Sequence, residues 1–481
     1  MGRRVCPLCI SLPAAPAAVA RLRARGQVVK RRRLWALIIF MPLFAACSAW
    51  VLPGENSWVD GGGSRADLDR PVWNVLIYMS ADNDLESAAI ADFNELESAP
   101  LPDWINVLIL LDRSPGGDAT NGDWSDTRLF QAREDPAGEN IDIVSWELSC
   151  PELGLGSGIT RELNMGDPAT LRGFREFASR RYPADRTAVI LWGHGTGYRS
   201  TAYTNPEGVG GWKGVTVDFT SAEDPLSTSE IRTALEAAPE TSRPDVLALD
   251  SCYGALLEVA YEVRDTCDVM IASEERVPAS GWDYRNLLTR FSAGDGSLVS
   301  FYTAAVSAFE ESYSLFTGAT ISVLDLESTR TVFSALEQAV AALLEATTLR
   351  ASRDRLRELL FTEAEDFYAT PGDLNLDLWD VGRIAARFAP ECAASGSALQ
   401  SAVGNLVITS WHHASGNPGA HGVAIHFVEL DDTGYACGHS EEYFHDAVVS
   451  NPLAFVADSS WVPDRTNGQG LLYRLWYEQL P

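Results

Sequence analysis

A histidine and a cysteine stand in short polar segments that each follow an apolar run. His194 lies in a GHG segment after the run 187–192, and Cys252 ends a DSC segment after the run 246–249. A thiol is a weak nucleophile until it is ionised or paired with a base, and an imidazole exchanges protons near neutral pH. Together the two side chains would perform acyl transfer, with Cys252 as nucleophile and His194 as general base and acid.

The backbone around these residues offers groups that stabilise negative charge. The amide N–H groups of Gly195 and Cys252 are candidates for an oxyanion hole. The glycines beside His194 let the chain approach a substrate closely. A helix predicted near 254–265 begins just after Cys252, and a helix N-terminus favours a thiolate.

Each residue also has an ordinary structural explanation. A cysteine at the end of a strand is usually a small buried apolar residue. A single histidine between glycines is more often a turn residue than a catalyst. The two residues can act together in catalysis only if the fold brings His194 and Cys252 to the same edge of a sheet.

Short apolar runs alternate with segments typical of helices, which is the pattern of an α/β fold. The predicted strands are 72–79, 105–111, 187–192, 246–249, 269–272, 320–324 and 423–428. The predicted helices are 84–98, 168–181, 228–237 and 254–265, and residues 297–409 are largely helical. We expect an α/β sandwich with a central, mostly parallel sheet, whose sites lie at the carboxyl ends of its strands.

Composition and charge indicate an acidic globular protein. The 481 residues are 46% hydrophobic and 21% charged, which is normal for a globular chain. Residues 1–33 contain nine of the 37 basic residues and no acidic one, so all 66 acidic residues follow them. This acidity argues against nucleic-acid binding, because a phosphate backbone needs a basic face.

The first 47 residues have the features of a signal peptide. The apolar stretch 34–46 follows the basic residues 30–33 and is too short to span a bilayer as a helix. Small residues precede Cys47, as in lipoproteins whose cysteine carries the lipid, and ordinary secretory cleavage is the alternative. We expect residues 48–70, which contain GGGS, to be a flexible tether between a lipid anchor and an extracytoplasmic domain.

Several segments resemble the clostripain family of cysteine peptidases, which are relatives of caspases, gingipains and legumains. They are WNVLIYMSADNDL from Trp73, ELNMGDPATLRGF from Glu162, YPADRTAVILWGHGTGY from Tyr182, DVLALDSCYGALLEVAYEV from Asp245, IASEERVPASGWDY from Ile271 and, more weakly, HGVAIHF from His421. The resemblance implies a caspase-like α/β/α sandwich with a helical C-terminal portion. It suggests a peptidase domain over 71–440 and a C-terminal extension, 441–481, packed on it.

The resemblance also assigns roles to individual residues. His194 matches the catalytic histidine of the family, and Cys252 matches its nucleophile. Asp250 matches a carboxylate in the pocket that receives Arg or Lys before the scissile bond. The alternative for Asp250 is the N-cap of the helix 254–265. The family's Pro-Gly turn after Ser-Glu-Glu reads PASG here, from Pro278.

The expected function is that of a cysteine endopeptidase cutting polypeptides after Arg or Lys, as a monomer on the outside of a bacterial cell. The alternative is a catalytically inactive surface lipoprotein that binds peptides or glycans on a peptidase scaffold. No metal ligand is assigned, but some relatives use calcium, for which Asp218, Glu223 and Asp224 are the candidates. The polar segment 199–226 is expected to be a surface loop, with a self-cleavage site as the alternative.

Overall fold

The computed structural model describes residues 71–428, apart from 140–141, 157, 202–211, 237, 239–240, 317 and 371–372. The predictions for residues 1–70, including lipidation at Cys47, lie outside the described residues and stay predictions. The same holds for the C-terminal extension 441–481. Within the described part of the chain, no helix is both long enough and apolar enough to cross a membrane.

A nine-stranded sheet forms the centre of the fold. The fifteen described strands are β1 Trp73–Ala81, β2 Ile105–Arg113, β3 Thr127–Gln131, β4 Trp146–Leu148, β5 Arg186–Trp192, β6 Gly195–Thr201, β7 Trp212–Asp218, β8 Asp224–Leu226, β9 Val246–Asp250, β10 Val269–Ala272, β11 Thr320–Asp325, β12 Asp366–Thr370, β13 Asp373–Asp377, β14 Val407–His412 and β15 Ala424–Val428. The central sheet has the order β14-β11-β10-β9-β5-β1-β2-β3-β4. Its middle strands, from β10 to β2, are parallel, and antiparallel strands complete each edge.

Helices cover both faces of this sheet. They are α1 Glu86–Ser98, α2 Pro168–Arg181, α3 Thr228–Leu235, α4 Leu257–Val263, α5 Tyr284–Ala293, α6 Leu298–Tyr313, α7 Thr329–Ala346, α8 Arg350–Glu363, α9 Leu378–Phe388 and α10 Ala393–Leu406. Alternate residues of β1 enter different apolar cores: Leu76 packs in the core with α2, and Ile77 packs in the core with α1, α5 and α6. This arrangement confirms the α/β/α sandwich with a mostly parallel sheet and a largely helical C-terminal portion.

Local sequence signals fix where several helices begin. Asp167 caps α2 by accepting from the amide of Ala169, and proline occupies the first position of that helix. Ser227 and Glu230 form a capping box at the start of α3. These two helices precede the two strands that carry the candidate site residues, α2 before β5 and α3 before β9.

Two small antiparallel sheets flank the central one, and one of them corrects a sequence prediction. Strands β12, β13 and β15 form one, and β6, β7 and β8 form the other. The segment 199–226 was expected to be a surface loop, but it contributes strands to the second sheet, around the undescribed residues 202–211. The sheet holds the segment after His194, because the amide of Thr216 donates to the His194 carbonyl at 2.9 Å.

Candidate active site

The carboxyl ends of two neighbouring strands form the candidate site. Strands β5 and β9 pair in parallel with Trp192 opposite Asp250, so the segments after them emerge side by side. A cleft of about 180 Å³ lies at this edge, and His194 and Cys252 both line it, together with residues of the turn 277–281. The expected meeting of the two segments at one edge of the sheet is therefore found.

The imidazole of His194 is paired with a carboxylate that the sequence analysis did not single out. His194 Nε2 lies 2.6 Å from Asp84 Oδ1. Asp84 is half-exposed and follows β1, which is the neighbour of β5 in the sheet. The hydrogen bond from the imidazole lowers the pKa of Asp84, so this carboxylate is ionised at neutral pH.

The thiol of Cys252 is partly exposed, and no helix begins directly after it to favour its thiolate form. Its Sγ donates to the carbonyl of Val277 at 3.7 Å, and burial raises the pKa of the thiol to about 11. The predicted helix start at 254 is wrong, because α4 begins at Leu257. The intervening turn is tied to neighbouring segments instead: the amide of Ala255 donates to the Ser273 carbonyl at 2.8 Å.

Gly195 brings the histidine segment into contact with the cysteine segment. A Cβ atom at Gly195 would lie 2.7 Å from the Cys252 carbonyl oxygen and 2.7 Å from Ser251 Oγ. Real Cβ atoms do not approach other atoms so closely, so this contact requires glycine. Gly195 and Cys252, the two candidates for the oxyanion hole, are therefore neighbours, and of the two only Cys252 lines the cleft.

Asp250 is buried, and one of its carboxylate oxygens has no partner. Its Oδ2 accepts from the amide of Trp282 at 3.0 Å and from the hydroxyl of Tyr284 at 2.9 Å. Oδ1 has no hydrogen-bond partner among the described residues. Burial raises the pKa of Asp250 to about 7. The N-cap alternative is wrong, because the residue before α4 is Leu256 and no side chain caps that helix.

A second buried carboxylate lies behind Asp250. Asp92 in α1 accepts from the indole N–H of Trp192 at 2.7 Å. A Cβ atom at Gly281 would lie 2.7 Å from Asp92 Oδ2 and 3.0 Å from Asp250 Oδ2. Gly281 has φ +60° and donates its amide to the Pro278 carbonyl, so the PASG segment still forms a tight turn. Burial and the Asp250 charge raise the pKa of Asp92 well above its usual range.

Comparison with known proteins agrees with this fold. A model of the clostripain family matches residues 77–433, which is most of the chain. The chain belongs to the clostripain family. Among its relatives is clostripain of Hathewaya histolytica, which is 30% identical over 234 residues. That alignment covers 46% of this chain and 43% of clostripain, so the chain matches less than half of the relative's length.

Solved structures of clostripain-like C11 proteases share the fold. An inactive zymogen C11 protease from Parabacteroides distasonis is 19% identical with a TM-score of 0.52, covering 74% of this chain and 91% of that one. A secreted C11 cysteine protease from Bacteroides thetaiotaomicron, solved with an irreversible peptide inhibitor, is 18% identical with a TM-score of 0.54, covering 81% and 99%. At these identities the likeness establishes the fold of this family member.

Two acidic residues of the candidate active site were missed by sequence reasoning. Asp84 falls in the quoted segment from Trp73, at the end of a parallel strand next to β5, so its position in the chain was an available signal. Asp92 lies inside a helix, and its contact with Trp192 spans 100 residues of sequence. Nothing in the local sequence around Asp92 indicates that contact.

Proposed function

We propose that this chain is a cysteine endopeptidase that cleaves polypeptides after Arg or Lys, with Cys252 as nucleophile and His194 as base. The observation that carries the proposal is that a thiol, an imidazole and a buried carboxylate with an unpartnered oxygen line one cleft. Membership of the clostripain family supports the same class of reaction.

The reaction begins with transfer of the Cys252 proton to His194 as sulfur attacks the peptide carbonyl carbon. Because burial raises the pKa of the free thiol to about 11, the transfer accompanies attack rather than preceding it. The oxyanion accepts hydrogen bonds from the amides of Gly195 and Cys252. The imidazolium then protonates the departing amine, and water, deprotonated by His194, hydrolyses the thioester and restores the thiol.

Asp84 is a positioning residue in this scheme. Its carboxylate accepts from His194 Nε2, which orients the ring and favours the imidazolium that forms during attack. The half-exposed position of Asp84 limits the strength of this interaction, because water screens the charges.

The acidic end of the cleft supports specificity for a cationic side chain. The unpartnered Oδ1 of Asp250 is a ready acceptor for a guanidinium or ammonium group, and a buried carboxylate is costly without such a partner. Burial and the Asp250 charge raise the pKa of Asp92 well above its usual range and favour its neutral form, so the charge that selects a cation is that of Asp250. A neutral side chain in the same pocket would leave the ionised Asp250 carboxylate uncompensated.

A panel of fluorogenic peptides that differ only in the residue before the scissile bond tests this proposal. We expect kcat/KM for Arg and Lys to exceed that for norleucine by about 100-fold or more, since an unpaired buried charge costs several kcal/mol. Citrulline, which has the shape of arginine without its charge, is the matched substrate control. Equal turnover of arginine and citrulline peptides would refute the cation pocket, and peptide binding without any turnover would favour the inactive scaffold.

Replacing Asp84 by asparagine should lower kcat about 10- to 100-fold and leave KM unchanged. The amide keeps the size of the side chain but removes the charge that supports the imidazolium. Asp84→Glu should recover part of the lost kcat, which a purely structural role would not explain. Asp103→Asn, at an exposed acid in the loop before β2, is the control and should behave as wild type. An Asp84→Asn enzyme with full kcat would show that His194 needs no carboxylate partner.

A further inference from the structure

An arginine stands on the segment that runs beside the Cys252 segment. Arg276 follows β10 in the chain and directly precedes Val277, the first residue of the turn that lines the cleft. Its two neighbours contact the cysteine segment: the Glu275 carbonyl accepts from the amide of Tyr253 at 3.2 Å, and the Val277 carbonyl accepts from Cys252 Sγ at 3.7 Å. Arg276 therefore lies beside the cleft, between two contacts with the segment that carries the nucleophile.

The backbone around Arg276 is held in place by hydrogen bonds. Ser273 Oγ donates to the Glu275 carbonyl at 2.8 Å, and the Glu274 amide donates to Thr320 Oγ1 at 3.0 Å. The amide of Arg276 itself donates to Glu275 Oε1 at 2.9 Å. These bonds fix the point from which the Arg276 side chain extends, so a ligand that binds it has to order only that side chain.

The guanidinium of Arg276 is exposed and loosely paired. The side chain is 67% exposed, and its Nε lies 3.6 Å from Glu275 Oε1, which is too long for a hydrogen bond. Within the described ranges, Arg276 has no other ion-pair partner. A guanidinium presents its N–H donors in a planar fork that matches a carboxylate, and this binding capacity is unused in the free protein.

The charge of Arg276 reaches the reacting sulfur. Burial raises the pKa of the Cys252 thiol to about 11, and the positive charge of Arg276 opposes that rise. Such an effect requires the guanidinium to lie within the range of weakly screened charges from Sγ, on the order of 10 Å. An extended residue spans about 3.3 Å, so a side chain bound to this guanidinium lies within about three residues of the scissile bond.

The chemistry of the site places Arg276 on the acyl side of the scissile bond. In the proposed mechanism His194 protonates the departing amine, so the leaving part of the substrate lies on the side of His194 and Asp84. Asp250 receives the side chain of the residue before the scissile bond, in a cleft that the turn 277–281 helps to line. Because Arg276 directly precedes this turn, it lies next to the residues that come before the scissile bond.

We propose that Arg276 forms a subsite for an acidic side chain one to three residues before the scissile Arg or Lys. This inference rests on the proposed function, because it concerns the substrate of the same site. The ligand is a carboxylate, which a guanidinium binds through two parallel N–H···O bonds. The cleft selects a polypeptide with an acid shortly before a base, where Arg276 binds the acid and Asp250 the base. An acid directly after the scissile bond instead meets the Asp84 charge and is disfavoured.

Peptides that differ only by Asp or Asn at one position test the subsite. In the wild-type chain at low salt, Asp at the best of the three positions before arginine should raise kcat/KM about two- to fivefold over Asn, as expected for one exposed ion pair. The ratio should approach one at about 0.5 M salt, because screening then acts within about 4 Å. In Arg276→Gln the ratio should be one or below, since the chain has a net charge of −29 and repels acidic peptides.

Charge reversal and a matched arginine variant sharpen this test. Arg276→Glu should reverse the preference, so that Lys at the same position is favoured over Gln. Arg350→Gln is the control, because Arg350 is 83% exposed and its Nε lies 4.0 Å from Asp354, within α8. It should keep the wild-type ratio of Asp to Asn peptides. Thermal melts check that each variant is folded.

Binding to the Cys252→Ala chain separates the subsite from the proposed function. Fluorescence anisotropy should give a Kd about two- to fivefold lower for the Asp peptide than for the Asn peptide, and equal values once Arg276→Gln is added. If the wild-type chain cleaves no arginyl peptide but this difference in Kd is found, the peptidase proposal fails and the subsite stands.

Three results would overturn the subsite. One is turnover by the wild-type chain with equal kcat/KM for Asp and Asn at all three positions, which would leave the peptidase proposal intact. Another is a wild-type ratio in Arg276→Gln, which would show that a different group binds the acid. The third is an absence of turnover together with an absence of binding to Cys252→Ala at about 1 mM peptide, which would refute both proposals.

Discussion

Cys252→Ala is expected to reduce kcat/KM for an arginyl peptide by about 10⁴-fold or more. Alanine provides no atom that can form the acyl-enzyme, and removal of a nucleophile typically costs up to about 10⁶ in rate. The thiol makes one long hydrogen bond, to the Val277 carbonyl, so its loss should change Tm little. Initial rates with a fluorogenic peptide and a thermal melt measure the two quantities on the same preparation.

Cys150→Ala is the matched control for that result. Burial raises the pKa of the Cys150 thiol to about 11, as it does for Cys252, but Cys150 is packed in the core on the α2 side of the sheet. The control should keep its activity and lose some stability to the cavity. Wild-type turnover by Cys252→Ala would end the proposed mechanism, whereas inactivity of both variants would indicate damage to the fold.

Alkylation kinetics distinguish a neutral thiol from a preformed ion pair. Among the described cysteines, only Cys252 is not fully buried, so iodoacetamide should label it first in the native protein. Because burial raises its pKa to about 11, the thiolate fraction and the labelling rate should rise about tenfold per pH unit between pH 7 and 9. A rate that is already constant at pH 7 would show that the free enzyme holds a thiolate.

The central strands could be read from the sequence because both of their faces are buried. Every residue of β1 and of β9 is buried, which requires an almost continuous apolar run. The predicted strands 72–79 and 246–249 therefore differ from the observed ones only at their ends. Neighbouring parallel strands have their carboxyl ends at the same edge of a sheet. The same reasoning therefore predicted that the segments carrying His194 and Cys252 lie close together.

The elements that were missed have no comparable local signal. The strands β6 and β7 contain glycine and polar residues, and they pair with each other and with β8 rather than with the central sheet. The start of α4 was placed too early because residues 254–256 form backbone contacts with distant segments rather than helical ones, as in the donation from Ala424 to the Ala255 carbonyl. Such long-range contacts are set by the fold and are not encoded in the periodicity of one segment.

Asp250→Asn should reduce kcat/KM for arginyl and lysyl peptides by about 10²- to 10³-fold and leave the norleucine peptide almost unchanged. Asparagine preserves the size of the side chain and an oxygen that can accept from Trp282 and Tyr284, but it removes the charge that would pair with the substrate. The loss should appear mainly in KM if the ion pair forms equally in the bound and transition states. Steady-state kinetics on the panel of peptides measure it.

The same substitution should stabilise the folded protein at high pH, because burial raises the pKa of Asp250 from 3.8 to about 7. An acid whose pKa is higher in the folded state costs stability as pH rises, with a penalty that grows between about pH 4 and 7 and is constant above. Asp250→Asn removes that penalty, so its stability advantage over wild type should reach on the order of 2–4 kcal/mol at pH 8 and vanish below pH 4.

In wild type, the preference for arginine over citrulline should likewise increase as pH rises through 7, because only the ionised carboxylate attracts the guanidinium. Two results together would contradict this account: a substrate preference that does not change with pH, and an unchanged melting curve for Asp250→Asn. They would mean that Asp250 is ionised well below neutral pH and that burial does not raise its pKa.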